Sequence, residues 1–410
     1  MILLRQIEGP EPGKIVSLEF NDAPAKDVIL GRGPECDMRI ANGQGDLGVS
    51  RRHCRLHVAS PWDLFVCDLK STNGTFVNGQ PAGLAEDNAT PLGPGDILRL
   101  GEVVFRCEWD GVVPAESVAS ILARYNNVSP VGQGASGMVH QAMDPDTAEP
   151  VALKAITLAE PIADDMRRRL LREAHLSVQL AHRNIVRTHR CWRCPEGFVL
   201  AMEFCPGGTL ADRCAEPEHR PDAGQAVRWT LDLLGALDYA HNASFWAQRG
   251  DGAITQATRL VHRDVSPMNV LFAADGTIKL ADFGMAKSAE LAGVSLLTQQ
   301  QHRAGRPRFL PQQMGRPGGL LHAGPEVDVW AAAAVLYWML SCTTPRRFSR
   351  REDPWLTLSQ TDVRPIRSLT PAIPDRLADV IDEALIDTPD IRIKTASQLR
   401  DQLRDAANGL

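Results

Sequence analysis

The chain changes its grammar once, near residue 121, and no single packed layer accommodates both halves. Through residues 1–108, short apolar stretches such as "VILGRGPECDMRI", "HCRLHV", "DLFVCDL" and "DILRLGEVVFRC" are broken every eight to twelve residues by Gly, Pro, Asn or Asp. That rhythm predicts an all-β sandwich. The alternation in "MILLRQIEG" reads as a first strand. Asn78-Gly79 in "VNGQ" reads as a two-residue hairpin turn, because both residues tolerate positive φ. Residues 109–121 carry no strong pattern and read as a linker. Beyond them, strand-like runs ("ARYNNVSPVGQGASGMVHQAM", "PVALKAITL") give way to long helical patterns such as "ADDMRRRLLREAHLSVQLAH", "AGQAVRWTLDLLGALDYAH" and "VDVWAAAAVLYWMLS". A small β-rich part followed by a larger helical part is the order of an α+β domain. The expectation is a multidomain chain: a sandwich over 1–108, a linker over 109–121 and an α+β domain over 122–410.

Composition removes several function classes. With 44% hydrophobic and 23% charged residues the chain is ordinary globular material, and a net charge of −6 gives no support to a nucleic-acid binder. The longest apolar run, Val329–Leu340, has twelve residues, too few to span a bilayer, so no membrane insertion is expected. The N-terminus meets Arg5 after four residues and is not read as a signal peptide. Nine scattered cysteines, an odd number, argue against a disulfide framework and for a reducing, cytoplasmic setting. Cys191 and Cys194 form one tight pair, but Cys205 and Cys214 do not supply the second pair of a zinc site, so free thiols near a strand end are the expectation.

In the first half the islands that stand out are Gly31-Arg32, "SRRH" at Ser50–His53, "STNGT" at Ser71–Thr75 and Asn78-Gly79. All fall at strand ends, on loops at one edge of the expected sandwich, where a rigid scaffold can present a site. Guanidinium, hydroxyl and amide donors suit a phosphate, with Arg supplying a bidentate, charge-assisted pair. Taken singly, "STNG" and "VNG" are turn chemistry of any β protein and Arg32 an ordinary surface charge. In this order and spacing they resemble the forkhead-associated (FHA) domain, a phosphothreonine-binding β-sandwich. The resemblance implies that Arg32, Ser50 and Arg51 hold the phosphate with Thr72 beside them. Asn73 would hold the peptide backbone or orient the phosphate loop, and His53 would brace the loop from beneath.

In the second half, "VGQGASGMV" sets glycines at 132, 134 and 137 before Val139, and "VALK" follows with Lys154, 17 residues after Gly137. "MVHQAMDPDTAEP" is not helical, so the glycines belong to a strand–loop–strand over phosphates rather than to a dinucleotide turn. Glu173 lies 19 residues past Lys154 on a helical pattern and can partner it, with a solvated basic run at Arg167–Arg169. "VHRD" then gives Asp264, with Asn269 five residues on, and "ADFG" gives Asp282, 18 residues past Asp264. Alone, Asp264 or Asp282 reads as a turn cap; in register the islands resemble the eukaryotic-type Ser/Thr protein kinase superfamily over about 122–406, including its bacterial Hanks-type members.

That resemblance implies a bilobal protein-kinase fold, divided near 205, with ATP and Mg²⁺ as cofactors and proteins as substrates. Gly132, Gly134 and Gly137 would cover the nucleotide, with Val139 and Ala152 above the adenine and Leu271 beneath. Met202 would be the gatekeeper, and Glu203 and Cys205 would offer hinge backbone groups. Lys154 would pair with the α- and β-phosphates and with Glu173. Asp264 would orient the acceptor hydroxyl and take its proton, while Asn269 and Asp282 hold the metal ions. Asp328 in "DVW" would open a buried helix and tie down the catalytic loop. Arg263 would need an anionic partner, for which Ser288, Ser295 and Thr298 are possible phosphosites. Phosphothreonine-bearing partners, or self-association through a phosphorylated copy, would be read by the first half.

Three departures from the family's wording cluster. Ser266 stands where many members have Lys. "AGRPRFLPQQM" aligns with Gly-Thr-Pro-x-Tyr-x-Ala-Pro-Glu, which puts Arg306 at the Thr and Gln313 at the Glu. That Glu would face Arg392, so a neutral amide leaves Arg392 under-neutralised if buried, unless another acid serves. Ser266 and Arg306 read as a linked pair, Arg306 supplying the missing positive charge. The stretch 242–261 is roughly a dozen residues longer than the family allows and reads as an exposed insertion. The departures keep two alternatives open: a phosphothreonine-dependent scaffold with a weakly active kinase domain, and a small-molecule phosphotransferase.

Overall fold

A computed structural model describes residues 2–18, 26–40, 47–58, 64–84, 90–93, 95–109, 117–134, 137–145, 147–157, 177, 180–194, 197–248, 254–258, 260–283, 306–315, 323–349 and 351–407. Two compact units divide the chain, one built chiefly on Met1–Ser120 and the other on most of Ile121–Leu410.

The first unit is a pair of sheets. β1 (Ile2–Glu8), β2 (Ile15–Leu18), β7 (Thr75–Val77), β8 (Gln80–Pro81), β10 (Ile97–Leu100) and β11 (Val103–Trp109) form a six-stranded sheet in the order β2-β1-β11-β10-β7-β8. β3 (Lys26–Gly31), β4 (Met38–Arg39), β5 (Cys54–Val58), β6 (Leu64–Asp68) and β9 (Thr90–Pro91) form the other, ordered β4-β3-β5-β6-β9. Alternation does the sorting: in β1 Ile2 and Leu4 are buried while Leu3 and Arg5 are not, as a period of two requires. Leu4, Leu30, Leu56, Val66, Leu98 and Leu100 meet in one core, each essentially inaccessible. The Asn78-Gly79 turn joins β7 to β8 with φ of 50° and 82°, as expected for a primed hairpin turn. Asn78 does more than turn: its Oδ1 accepts from the Ile97 amide at 2.9 Å and its Nδ2 donates to Asp96 at 2.8 Å.

In the second unit, α1 (Val118–Leu122) replaces the end of the expected linker with a single helical turn, because Ile121 finds a buried seat. β12 (Asn126–Gly134), β13 (Gly137–Met143), β14 (Pro150–Thr157), β15 (Thr188–Cys194) and β16 (Gly197–Glu203) make a sheet ordered β12-β13-β14-β16-β15. Helices follow: α2 (Leu210–Arg213) and α3 (Ala223–Asn242), the latter capped by Asp222 accepting from the Gln225 amide at 2.7 Å. The stretch read as an exposed insertion carries two paired strands, β17 (Ser244–Gln248) and β18 (Ile254–Thr258), and its residues Phe245–Ala257 group with the first unit. A short hairpin, β19 (Val270–Phe272) and β20 (Ile278–Leu280), precedes α4 (Pro325–Ser341), α5 (Pro354–Gln360), α6 (Asp375–Ala384) and α7 (Ala396–Ala406).

Apart from Asp328, α4 is apolar and buried on all sides from Val327 through Tyr337, and α3, α6 and α7 pack against it. Pro325 at its first turn and Cys342 in the left-handed conformation just past its end mark its limits. Among the described residues no helix is long and apolar enough to cross a membrane. The helix expected over 163–182 lies outside the described residues apart from 177 and 180–182, and with it Glu173 and Arg167–Arg169.

Candidate functional site

At one edge of the sandwich three loops are interlocked through their backbones. The Arg32 amide donates to Ser50 O at 3.0 Å, and the Gly33 amide to Arg51 O at 2.9 Å. Gly31 permits this approach, since a Cβ there would lie 2.1 Å from Arg51 O. The third loop is tied by Ser50 Oγ, which accepts from the Thr72 amide at 3.0 Å and lies 3.4 Å from Thr72 Oγ1. Asn73 Nδ2 donates to Gly48 O at 2.9 Å, so this side chain ties its loop to the one that holds Gly48.

Beneath them His53 is fully buried; its Nδ1 accepts from the Ser50 amide at 3.0 Å and its Nε2 faces Gly74 O at 3.0 Å. These partners require the tautomer with hydrogen on Nε2, and burial pushes the imidazole below its ordinary value. Asp68 closes the base of the turn, taking Ser71 Oγ at 2.5 Å and Thr75 Oγ1 at 2.6 Å. Burial alone would raise this carboxyl, but those hydrogen bonds hold it below the usual range. Arg32, Arg51, Thr72 and Asn73 are all exposed on the frame so built. Arg52, also exposed, joins them without having been singled out, since one Arg in "SRRH" cannot be told from the next by pattern alone.

In the α+β unit the expected residues converge on β14 and on the β19–β20 hairpin. Lys154, on β14 and only 2% exposed, places Nζ 2.6 Å from Asp282 Oδ2. Asn269 Nδ2 donates to Asp264 O at 2.7 Å and to Asp264 Oδ2 at 3.1 Å. Ala281 joins the two segments: its amide donates to Asn269 O at 2.8 Å, and its carbonyl receives His262 Nε2 at 2.7 Å. His262 Nδ1 in turn accepts from the Asp264 amide at 3.2 Å. Arg263 and Asp282 flank this knot at φ of 67° and 65°, left-handed geometry that costs ~1–3 kcal/mol at a residue other than Gly.

Asp328 holds the loop from below. Fully buried at the first turn of α4, it accepts from the His262 amide, the Arg263 amide and His241 Nε2, each at 2.7 Å. Burial would raise its carboxyl, yet the His241 hydrogen bond and the nearby donors keep it below the ordinary range. The loop-fastening role expected of Asp328 is therefore observed. Arg263 Nε is buried with no hydrogen-bond partner among the described residues. Ser288, Ser295 and Thr298 lie outside the described residues, as does the Arg306 side chain, so its expected approach to Ser266 is not described.

The glycine-bearing turn connects β12 to β13. Gly137 is where chain approach demands glycine, because a Cβ would sit 2.0 Å from Ala155 O. Gly132 pairs with Val139 across the hairpin, and Gly134 with Gly137. Ala152 and Met202 are buried neighbours on β14 and β16, and Leu271 lies on β19 opposite Lys279. A small cavity behind Met202 is lined by Ile185, Thr188, Leu200, Asp282 and Phe283. The Glu203 amide is committed to Arg187 O at 2.8 Å and is not free for a base. Its side chain, unforeseen in the sequence, pairs with Lys279 at 2.9 Å. The Cys205 thiol is pushed up to about 12 by burial and then by Glu203, which favours its protonated form. Two oxygen-bearing side chains beside a buried ammonium, under a glycine turn, have the donor set for a nucleotide with a hard divalent cation.

The family description "Protein kinase domain" matches residues 125–403, and "FHA domain" matches residues 28–101. The carbon catabolite-derepressing protein kinase of Candida albicans is 30% identical over 232 residues, 57% of this chain and 34% of that protein. The sucrose non-fermenting protein kinase 1 of Fusarium virguliforme is 30% identical over 219 residues, 53% of this chain and 28% of that protein. The chain thus spans about a third of the length of these curated relatives. Among solved structures, a double mutant of the PknI kinase domain of Mycobacterium tuberculosis matches with a TM-score of 0.52 at 22% identity. That match covers 73% of this chain and 100% of the other, and it supports the fold alone.

Proposed function

The chain belongs to the protein kinase family and carries an FHA domain, and on that premise we propose that it transfers the ATP γ-phosphoryl group to Ser or Thr of proteins while its FHA domain recruits phosphothreonine-bearing partners or a phosphorylated copy of itself. The observation that carries the reading is the bonded chain Lys154–Asp282 and Asp264–Asn269, closed by Ala281. Bound Mg²⁺ would neutralise developing phosphate charge, with Asn269 and Asp282 as its ligands. Lys154 would fix the α- and β-phosphates, with Glu173 as its partner. Gly132, Gly134 and Gly137 would cover them, and Val139, Ala152, Met202, Glu203, Cys205 and Leu271 would enclose the adenine.

Asp264 would accept hydrogen from the acceptor hydroxyl and aim its oxygen, which is positioning rather than covalent chemistry. Arg263 Nε, which has no partner among the described residues, supports a phosphate arriving from the segment that holds Ser288, Ser295 and Thr298. Arg32, Ser50, Arg51 and Thr72 would grip a phosphothreonine, with Asn73 keeping the loop in shape. The departures at Ser266, Arg306 and Gln313 favour a second reading, a phosphothreonine-dependent scaffold that binds nucleotide and scarcely turns over.

Incubation of the purified chain with labelled ATP and Mg²⁺, beside Lys154→Met, separates the two. Phosphothreonine or phosphoserine on the chain or on an added protein, absent in the variant and mapped by mass spectrometry, is the expected result. Nucleotide binding without transfer would favour the scaffold.

A further inference from the structure

The two residues expected to anchor the segment 306–315 do not meet. Gln313 turns Nε2 onto the Asp387 carbonyl, and its Oε1 is buried without a partner among the described residues. Arg392 is not buried: 61% of its side chain is exposed and its Nε lies 2.9 Å from Glu383 Oε1. The expected facing of Gln313 and Arg392 is therefore corrected: Gln313 is taken by Asp387, and another acid, Glu383, serves an Arg392 that is not buried.

That pair is Arg346–Asp387, with side chains 2% and 5% exposed and Nη2 2.6 Å from Oδ2. Arg346 spends its other donors on Thr361 O at 2.8 Å and, more distantly, Leu310 O at 3.5 Å, while its guanidinium lies 5.2 Å from the Trp330 ring centre. Asp387 Oδ2 also accepts from the Gln312 amide at 2.7 Å. The Gln312 side chain is fixed at both ends, by Ser359 O at 2.6 Å and Thr388 Oγ1 at 2.7 Å. Leu310 and Gln312 consequently hang on one pair of buried charges, and Gln313 on the backbone carbonyl of the same Asp387. Removing either charge strands the other in a dry site, so such a pair resists displacement more than a surface contact does.

We propose that Arg346 and Asp387 are positioning residues for protein-substrate docking, the ion pair having replaced the anchor expected at 313 and 392. This rests on the kinase reading above. It requires a neutral donor at 313. Glu there, although it is the family's residue, would set a carboxylate against the Asp387 carbonyl and beside the Asp387 carboxylate.

The full chain, with Mg–ATP and dephosphorylated casein as acceptor, tests this through Gln313→Glu, Gln313→Met, Arg346→Met and Arg392→Gln. Gln313→Glu and Arg346→Met are expected to raise the acceptor KM at least about tenfold, with the KM for ATP held within about twofold. Gln313→Met, which adds no charge and guards against simple misfolding, is expected to raise the acceptor KM about threefold, and Arg392→Gln to leave every constant within about twofold. The proposal is overturned if Gln313→Glu matches or exceeds the unaltered chain, if Arg392→Gln is as harmful as Arg346→Met, or if both KM values rise together. If the unaltered chain transfers nothing, the kinase reading fails and the anchor is read instead from hydrogen exchange at the Gln312 amide. Exchange at least about tenfold faster in Arg346→Met, but unchanged in Arg392→Gln, would uphold it, and equal rates in both would overturn it.

Discussion

The sandwich gathers its polar loop residues from positions close in sequence: Ser50 meets Thr72 across 22 positions, and the cations beside them stand exposed. The α+β unit gathers its own from far apart, with Lys154 reaching Asp282 across 128 positions, and its cation is buried and already engaged. The contrast teaches what each arrangement suits. Exposed donors on a rigid frame are ready for a ligand at once, which serves recognition. A buried ammonium bonded to a carboxylate must share that partner with an incoming phosphate, which serves a cycle of binding and release.

The sharpest way to break this contrast is at the buried site. Asp264→Asn and Lys154→Met are each expected to lower phosphoryl transfer about 10³-fold, and chelation of divalent cations to abolish it, as followed by labelled ATP. Either variant should leave phosphothreonine-peptide affinity unchanged. Next comes the exposed site: Arg32→Ala should weaken that affinity at least about tenfold by calorimetric titration, and added salt should weaken the unaltered chain as well.

Acid should divide the two frames further. His53 has its imidazole lowered by burial, so its neutral form stabilises the sandwich above the unfolded value near 6.5, and that contribution is lost as pH falls through it. Asp68 is lowered as well, so its contribution follows only below about 4. Hydrogen exchange in β3 and β5, corrected for intrinsic rates, should therefore show protection declining from pH 7.5 to 5.5. The smallest effect is expected at Lys279→Met: loss of the partly buried pair with Glu203 should raise the KM for ATP about threefold and leave kcat near its starting value.

Much of this organisation was readable in the residues themselves. Period-two burial in β1 and the Asn78-Gly79 turn are local signals, and local signals survive into the structure because nothing overrides them. Asp264, Asn269 and Asp282 were readable by order and spacing. The rest depends on partners that no pattern announces. Arg346 stands next to Arg347, which is exposed, and only packing against Trp330 and Asp387 makes one interior and the other surface. Arg392 is matched to Gln313 by a familiar wording, but its partner is Glu383, nine positions back at the end of α6, an acid that the wording does not announce. Lys279 did leave a faint trace, a charge between the buried Ile278 and Leu280, although alternation identifies the face and not the partner.

The grip of Asp328 on the His262 and Arg263 amides has a temporal consequence. Those two hydrogens are shielded by a carboxylate seated on the most deeply packed helix of the unit, so they can leave only when that helix does. Catalytic loops are ordinarily among the first parts of an enzyme to exchange with solvent. Here the two amides beside Asp264 should keep time with the slowest opening of the unit, and so serve as a clock for its global unfolding.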